Sequence, residues 1–202
     1  MHARNIIVDS MCPQVYGLFY VKLSVLSMLI IGLSCNDSSG MHVRGESHML
    51  LVGNADTAKL QLLKYATKLI PRSVLTTGMG STSASLVALV IKTGPEWQLE
   101  AGALVLADNG LCCIDEFGSL SRNEQNAVFK AMEQQSLSIN KGGFACNLNA
   151  YCSELAAMSA RDKYDIESSL SANTALPTSP LNRFDLVLVL LDTHDEQWDA
   201  QV

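Results

Sequence analysis

The sequence lacks an uninterrupted apolar run of the length that a membrane-spanning helix needs. The most apolar passage, residues 15–33, contains Lys22 and is broken by Ser24, Ser27 and Gly32, whereas a spanning helix requires about 20 predominantly apolar residues. A basic start followed directly by a small-residue cleavage site is also missing. The passage favours a buried core helix, with a signal peptide or membrane anchor as the alternative, and no membrane partner is expected.

Positive charge is scarce as well. The chain has 14 Lys and Arg against 20 Asp and Glu, which gives a formal net charge of -6. This balance excludes a protein that binds nucleic acid over most of its surface, because non-specific affinity comes from phosphates neutralised by Lys and Arg. Any contact with nucleic acid must be local.

The six cysteines lack the spacing of a zinc site or a disulfide frame. No CxxC pair occurs among them, and Cys112 and Cys113 lie side by side in an apolar segment. Reduced cysteines in the core of a cytosolic or nuclear protein have this pattern. With 202 residues, of which 48% are hydrophobic, the chain can bury a core as one domain or as most of a larger one.

What the sequence does contain is centred on residues 99–117, LEAGALVLADNGLCCIDEF. The apolar segment 111–114 predicts a short strand buried on both faces, as in a parallel sheet covered by helices. Asp115 and Glu116 follow at its carboxyl end, where ligands bind in open α/β sheets. One carboxylate would hold Mg²⁺, usually through water, and the other would orient an attacking water. A strand that ends in a solvated acidic turn is the alternative.

A second motif begins at the apolar segment 49–52, which leads into GNADTAKL, residues 53–60, and then into a helix that Pro71 ends. A strand, a loop with Gly53 and Lys59 six positions apart, and a helix form the layout of a phosphate-binding loop. An ordinary strand-to-helix turn is the alternative. We expect this loop and the two acids to face each other across adjacent strand ends.

The loop lacks parts of the intact motif. A second glycine before the lysine and a Ser or Thr after it, which would ligate Mg²⁺, are both missing. Asp56 also places a carboxylate near the expected triphosphate oxygens, and two like charges about 4 Å apart repel by roughly 4 kcal/mol at an effective dielectric of about 20. Nucleotide binding is therefore expected to be weak.

Other segments complete the pattern of an α/β protein. Residues 74–77 predict a second strand, and Ser121 with Glu124 predicts a capping box at the start of a helix. Alternating apolar residues and a Lys-Gly-Gly turn predict a β-hairpin at 137–144.

The last third of the chain contains one conflict. Residues 151–158 predict an inner strand, but Glu154 lies within it, and an unpaired buried carboxylate is costly. Either Glu154 points to an edge or the strand is poorly formed. A turn-rich loop is expected at 173–180 and a last buried strand at 186–191.

Four segments together resemble the minichromosome maintenance (MCM) proteins, the AAA+ replicative DNA helicases. These are residues 45–84, 96–117, 131–143 and 182–192, which include GNADTAKL, LCCIDEF, SLSINKGG and NRFDLVLVLLD. VRGESH, LCCIDEF and LLDTHDEQWD are most similar to the branch of the family that is associated with homologous recombination and repair. Several motifs in the right order and spacing make a chance match very rare.

The resemblance implies an α/β fold, an AAA+ P-loop NTPase core. Such a core has a mostly parallel five-stranded sheet flanked by helices, with β-hairpin insertions, and here without the helical lid. It would cover residues 12–199, with 1–11 as an N-terminal extension and 200–202 as a tail.

The resemblance also implies roles for individual residues. Gly53, Thr57, Ala58 and Lys59 match what remains of the ATP-binding Walker A loop. Asp115 matches the Mg²⁺-binding carboxylate of the Walker B pair, and Glu116 matches its catalytic carboxylate, which activates water. Arg183 in NRFD matches the arginine finger, a catalytic residue that acts on nucleotide bound by the neighbouring subunit. Lys141 matches the tip of a hairpin that contacts DNA phosphates without reading sequence, and residues 87–97 match a second insertion that lines the same channel.

Several positions depart from the family. Ala55 and Asp56 stand where a Pro-Gly pair is expected, Leu60 where the Mg²⁺ hydroxyl is expected, Ser159 where the sensor-1 asparagine is expected, and Tyr151 where an arginine is usual. No N-terminal DNA-binding domain and no lid with a sensor-2 arginine are visible. These departures suggest an AAA+ core that has lost parts, or an incomplete product.

The expected function is therefore that of an MCM-type module of an ATP-dependent DNA helicase, active in DNA replication or in double-strand break repair by homologous recombination. It would bind ATP, Mg²⁺ and DNA, single-stranded or forked, and would join other MCM subunits in a ring in the nucleus, with its own hydrolysis impaired. The alternative is a non-catalytic MCM-like subunit, or a truncated fragment, that docks on other MCM subunits.

Overall fold

The computed structural model describes residues 2–30, 32, 34–36, 38, 42–79, 83–93, 96–141, 144–161 and 164–191. The helices are α1 (His2–Ser10), α2 (Phe19–Leu29), α3 (Lys59–Leu69), α4 (Ser83–Leu86), α5 (Ala103–Leu106), α6 (Arg122–Gln134), α7 (Leu170–Thr174) and α8 (Thr178–Leu181). The strands are β1 (Cys35–Asn36), β2 (His42–Val43), β3 (His48–Gly53), β4 (Ser73–Thr77), β5 (Ala88–Thr93), β6 (Glu96–Ala101), β7 (Gly110–Asp115), β8 (Ser136–Lys141), β9 (Phe144–Asn149), β10 (Cys152–Ser159) and β11 (Leu186–Leu190).

Five of these strands form a parallel sheet in the order β11-β3-β10-β7-β4. Its inner strands β3, β10 and β7 are buried along nearly their whole length. A strand that is covered on both faces is apolar at consecutive positions, which is why runs such as LLV and LCCI mark them in the sequence. The predicted α/β core with a five-stranded parallel sheet is confirmed.

Helices pack against both faces of the sheet. On one face, buried side chains of α2 and α3 pack against Met49, Leu51 and Cys113. On the other face, α4, α5 and α6 pack against Leu50 and Ile114. The two cores leave the carboxyl ends of the strands free to carry the loops of a site.

Three aromatic rings pack against one another in the core on the face covered by α4, α5 and α6. Phe117 follows β7, Phe129 lies on α6, and Phe184 precedes β11; their ring centroids are 5.7, 5.8 and 6.2 Å apart. Edge-to-face aromatic pairs contribute about 0.5–1.5 kcal/mol beyond their buried area. The cluster therefore fixes α6 against the turn after β7 and against the start of β11.

The apolar passage predicted as a core helix forms α2, but over eleven residues only. Lys22 on this helix is 4% exposed, and its ammonium donates to the carbonyl oxygen of Val15 at 2.7 Å. Within the described part of the chain, no helix is both long and apolar enough to span a bilayer.

Helix α1 was not expected, because residues 1–12 show no usable periodicity. Val8 is 1% exposed, and Met11 packs in the same core as α2 and α3. The helix forms because tertiary burial stabilises it, which a weak local pattern does not show. The boundary of an N-terminal extension at residue 11 stays a prediction.

The expectation for Glu154 was wrong. Strand β10 is well formed at the centre of the sheet, and Glu154 is 1% exposed on it. Burial raises the pKa of this carboxyl well above its ordinary value. A neutral carboxyl costs less to bury than a carboxylate, so the strand tolerates it.

Two further expectations near the end of the chain need correction. The apolar run 186–191 forms an edge strand, β11, in which Leu186 is 40% exposed and Val189 is 38% exposed. An edge strand has a neighbour on one side only, so part of its apolar surface stays open. The segment 173–180 contains parts of α7 and α8, and the hydroxyl of Ser169 caps α7 by accepting from the amide of Ala172.

Two longer β-hairpins and the short antiparallel pair of β1 and β2 lie outside the main sheet. The predicted hairpin is confirmed as β8 paired with β9, although its turn residues 142–143 lie outside the described residues. A second hairpin, β5 paired with β6, overlaps the insertion predicted at 87–97 and extends beyond it to Ala101. The capping box is also confirmed, because the hydroxyl of Ser121 accepts from the amide of Glu124 at 3.4 Å and the reciprocal bond is 2.7 Å.

The six cysteines are free thiols. Four of them, Cys12, Cys112, Cys113 and Cys152, are buried as expected, whereas Cys35 is exposed and Cys146 is half-buried. Burial raises the pKa of Cys113 to about 12, so this thiol stays protonated and acts as a small apolar side chain.

Candidate functional site

The loop after β3 closes around its own lysine. The Lys59 ammonium donates to the carbonyl oxygen of Gly53 at 3.1 Å, to the hydroxyl of Thr57 at 2.9 Å and to the carbonyl oxygen of Asn54. Lys59 is 8% exposed. An ammonium has three donor hydrogens, so these contacts use its whole capacity inside the loop.

The backbone of this loop needs the left-handed conformation at two non-glycine residues. Asp56 has φ 65° and Ala58 has φ 57°. This region costs most L-residues about 1–2 kcal/mol, and Asp tolerates it better than Ala does. The geometry thus explains why a glycine at position 56 would suit the loop and why Asp replaces it at moderate cost.

Asp115 and Lys59 belong to the same site. Burial lowers the pKa of Lys59, while the negative charges of Asp115 and Asp56 oppose that shift. Strands β3 and β7 run parallel in one sheet, so the loop after β3 and Asp115 at the end of β7 lie at the same carboxyl edge. The expectation of adjacent strands was wrong, however, because β10 lies between β3 and β7.

Asp115 ends β7 and organises the turn that follows. Its side-chain Oδ1 accepts from the amide of Glu116 at 2.9 Å, and its carbonyl oxygen accepts from the amide of Gly78 at 2.7 Å. Glu116 takes a left-handed conformation, φ 50°. A left-handed conformation at a non-glycine residue costs about 1–3 kcal/mol, so the turn stores strain at a candidate site residue.

Glu116 borders a cavity of about 310 Å³. Ser159 and Arg161, which end and follow β10, line the same cavity. The cavity is thus the place where a water, a carboxylate and a guanidinium could meet a phosphoryl group. Ser159 stands where the resemblance predicts the sensor-1 asparagine, and its short hydroxyl reaches less far than the side-chain amide of an asparagine.

Gly78 holds the turn against β4. A Cβ added at Gly78 would lie 2.3 Å from the carbonyl oxygen of Glu116. Gly78→Ala is expected to lower the free energy of unfolding by about 1–3 kcal/mol, because the backbone must move to relieve the overlap. Chemical denaturation measures the effect, with Gly118→Ala as a control: there the nearest atom is the flexible side-chain end of Met158, at 3.2 Å. Equal stability of the two variants would contradict the close approach.

Arg183 lies away from this edge. It follows α8 and precedes β11, so it is at the amino edge of the parallel sheet, whereas Lys59 and Asp115 are at the carboxyl edge. Its guanidinium pairs with Glu133 of α6 at 2.9 Å and lies 5.5 Å from the ring centroid of Phe129. The structure therefore does not bring Arg183 together with the chain's own loop.

Two side chains that the sequence did not single out, Arg44 and Asp185, hold the segment of Arg183. Arg44 makes two hydrogen bonds to Asp185, at 2.8 and 3.0 Å, and donates to the carbonyl oxygen of Met132 at 3.1 Å. Asp185 also accepts from the amide of His48 at 2.8 Å. Arg44 and Asp185 are 141 positions apart, so no local pattern could have paired them, although Asp185 stands in the quoted NRFD motif.

Lys141 is the last residue of β8 and pairs in register with Phe144. This places it at the end of the hairpin, next to the turn, as the sequence predicted. Its side chain lies outside the described residues, so its contact with DNA stays a prediction.

A Mg²⁺-nucleotide fits these residues in part. Asp115, Glu116 and Lys59 are the residue types that such a ligand needs. Asp56 and Leu60 oppose it, because one adds negative charge beside the phosphates and the other has no oxygen for the metal. The donor set therefore favours weak binding.

Comparison with known proteins agrees with this arrangement. The MCM P-loop domain family matches residues 1–202. Over 202 residues the chain is 53% identical to "Probable DNA helicase MCM9" of Oryza sativa subsp. indica and 52% identical to the protein of the same name of Arabidopsis thaliana, covering 100% of this chain and 30% and 31% of those proteins. "DNA replication licensing factor MCM6" of Oryza sativa subsp. indica is 45% identical over 98% of this chain and 24% of its own length. The chain thus spans less than a third of the relatives that it matches.

Proposed function

The chain belongs to the MCM family, and on that premise we propose that it is a helicase-type ring module that completes a neighbouring subunit's nucleotide site while its own site is weak. Arg183 would act as a catalytic residue in trans. The position of Arg183 at the amino edge of the sheet, away from Lys59 and Asp115, is the observation that carries this proposal. When it is bound, the nucleotide at the neighbouring subunit's site would supply the phosphoryl group that is transferred to water.

The proposal assigns separate roles to the chain's own residues. Lys59, with the loop residues Gly53, Thr57 and Ala58, would hold the phosphates, and Asp115 would hold Mg²⁺. Glu116 would orient a water at the 310 Å³ cavity. In the free loop Lys59 is fully used by loop oxygens, so a ligand must replace those bonds before it gains any from the lysine.

We infer the cellular role from the relatives. The MCM9 and MCM6 names concern a DNA helicase and DNA replication licensing. From this family we infer that the partners of the chain are DNA and other MCM subunits and that it acts in the nucleus. Repair of double-strand breaks by homologous recombination is the finer hypothesis, which rests on the similarity of VRGESH, LCCIDEF and LLDTHDEQWD to that branch of the family.

Hydrolysis by a mixed assembly tests the proposal. A full-length MCM protein with an intact Walker A loop is mixed with this chain, and phosphate release is measured. The chain is expected to raise the rate, Arg183→Ala to abolish that increase, and Glu116→Gln to preserve it. Arg122→Ala, an exposed arginine on α6, serves as the control.

A second candidate function is distinguished by the same measurement. The weak loop also fits a non-catalytic subunit that only docks on other MCM subunits. In that case the chain would co-purify with the full-length protein without raising its rate. Failure of the two proteins to associate would contradict both candidates.

Direct nucleotide binding tests the weak site. The wild-type chain is expected to bind Mg²⁺-ATP with a Kd above about 100 μM, a binding free energy weaker than about -5.5 kcal/mol. Titration calorimetry with and without Mg²⁺ measures it. A Kd of a few micromolar would show that Asp56 and Leu60 do not damage the loop.

A further inference from the structure

A groove of about 380 Å³ runs beside α6, at the bases of the two β-hairpins. Val87, next to β5, and the first residues of β8 line it together with residues of α6. Its polar lining, called the polar groove below, consists of Asn123, Asn126, Lys130 and Gln134 on α6 and Ser136 and Ser138 on β8.

The four residues from α6 form one stripe. Their spacings of three and four positions place them on one side of an α-helix. At 1.5 Å per residue the stripe from Asn123 to Gln134 is roughly 16 Å long. This length is sufficient to follow a few nucleotides of a single strand.

These four side chains are exposed, and within the described part of the chain none of them makes a hydrogen bond or ion pair. Other polar side chains of α6 are occupied: Glu124 caps the helix, Gln125 donates to the carbonyl oxygen of Leu120 at 3.2 Å, and Glu133 pairs with Arg183. The polar side chains of α6 thus form two groups: one makes contacts within the fold, and the other is available to a ligand.

The charge of the groove is opposite to that of the chain. Its lining contains one ammonium and no carboxylate, although the chain as a whole has a formal net charge of -6. Amide and hydroxyl groups donate to phosphate and sugar oxygens without reading sequence. Strand β8 begins in the groove and ends at Lys141, so a ligand in the groove would continue along the hairpin.

We propose that the polar groove binds the sugar-phosphate backbone of a single nucleic-acid strand, with Lys130 on a phosphate and the amides of Asn123, Asn126 and Gln134 along the strand. This inference rests on the proposed function, in which DNA is a ligand. It adds a binding surface on the body of the domain to the contact at the hairpin tip.

Binding of a fluorescent oligo-dT to the full chain, measured by anisotropy over a range of salt concentrations, tests the groove. Lys130→Gln is expected to weaken binding by roughly three- to tenfold and to reduce the slope of log K against log salt by about 0.7, which is one phosphate contact on a single strand. Lys64→Gln, an exposed lysine on α3 at the opposite face of the sheet, removes the same charge and is expected to leave binding unchanged.

Added negative charge provides a second pair of variants. Gln134→Glu is expected to weaken binding, because it places a carboxylate in the groove, while Gln61→Glu on α3 is not. All four residues are exposed, so the fold tolerates the changes, and a thermal melt of each variant confirms it.

The outcomes separate the groove from the function on which it rests. If the wild-type chain binds oligo-dT and the groove variants bind like their α3 controls, the groove is not a nucleic-acid site, while Lys141→Gln still tests the hairpin. If the wild-type chain binds no oligo-dT, the groove proposal is wrong, whereas the role of Arg183 is decided separately by phosphate release in the mixed assembly. If Lys130→Gln instead abolishes co-purification with a full-length MCM protein and leaves oligo-dT binding unchanged, the groove is a protein interface.

Discussion

Replacing Asp56 with glycine and Leu60 with serine is expected to strengthen binding of Mg²⁺-ATP by about 100-fold, or about 2.8 kcal/mol at 1.4 kcal/mol per tenfold. Glycine adopts the left-handed conformation of position 56, φ 65°, without strain. Its introduction also removes a carboxylate whose repulsion of a phosphate is worth up to roughly 4 kcal/mol at a separation of about 4 Å. Serine at position 60 adds the hydroxyl that the metal needs.

The location of Leu60 makes the second change structurally mild. Leu60 lies in the first turn of α3 and is 36% exposed, so its side chain contributes less to the core than Leu62 or Leu63 does. Titration calorimetry of the single and double variants separates the repulsion from the metal ligand. Removal of Mg²⁺ is expected to abolish the gain from Leu60→Ser and to preserve the gain from Asp56→Gly.

A matched control is available on the same helix. Leu69→Ser changes a leucine that is 44% exposed at the far end of α3, and it is expected to leave nucleotide affinity unchanged. Lys59→Ala in the double variant is expected to remove the restored binding. If the double variant binds no more tightly than the wild-type chain, the weakness of the site has another origin than these two positions.

Much of the fold follows from local pattern. The runs LLV, LCCI and LAAM predict the inner strands β3, β7 and β10, because strands buried on both faces cannot alternate. The capping box predicts the start of α6, since Ser121 and Glu124 are only three positions apart. Helix α1 and the exposure of β11 were not predictable in this way, because both depend on which elements lie beside them in the folded chain.

The same distinction holds for the candidate site. The order of motifs predicts that Lys59 and Asp115 lie at one edge of the sheet, and the parallel strands β3 and β7 end at that edge. It does not predict the bonds by which Lys59 closes its own loop, or the pair between Arg44 and Asp185. The pair of Arg44 and Asp185 joins side chains that are distant in sequence, and the bonds of Lys59 depend on how its side chain turns inward in the folded loop. Neither can be predicted from local pattern.

Glu154 shows most clearly how the folded environment changes a residue's chemistry. In the sheet it lies in register between His48 of β3 and Cys112 of β7. Among the described residues, neither oxygen of Glu154 nor Nδ1 of His48 has a hydrogen-bond partner. Burial raises the pKa of Glu154 well above its ordinary value, with Arg44 opposing, and burial with the charge of Arg44 lowers the pKa of His48 to about 4.

These two shifts limit stability at opposite ends of the pH range. The raised pKa of Glu154 means that the folded chain binds the proton more tightly, so this contribution is complete below the unfolded value of about 4.5 and is lost as pH rises. The lowered pKa of His48 has the reverse effect: its contribution is complete above about 6.5 and is lost as pH falls towards 4.

Glu154→Leu is therefore expected to increase the free energy of unfolding by about 1–4 kcal/mol at pH 8, with a smaller increase at pH 5. For a domain of this size each kcal/mol raises Tm by about 2–4 °C. Denaturant melts at several pH values measure the difference. The loss of stability below pH 6.5 is expected to remain in the variant, because it comes from His48.

Glu154→Gln separates charge from polarity in this test. It keeps the shape and a polar group but cannot ionise, so its stability is expected to be insensitive to pH above about 6.5, where His48 adds no pH dependence. Its gain is expected to be smaller than that of Glu154→Leu. A wild-type chain whose stability stays constant from pH 5 to pH 8 would contradict the buried neutral carboxyl. So would a Leu variant that is less stable than the wild-type chain at pH 8, because an apolar side chain then could not replace Glu154 between His48 and Cys112.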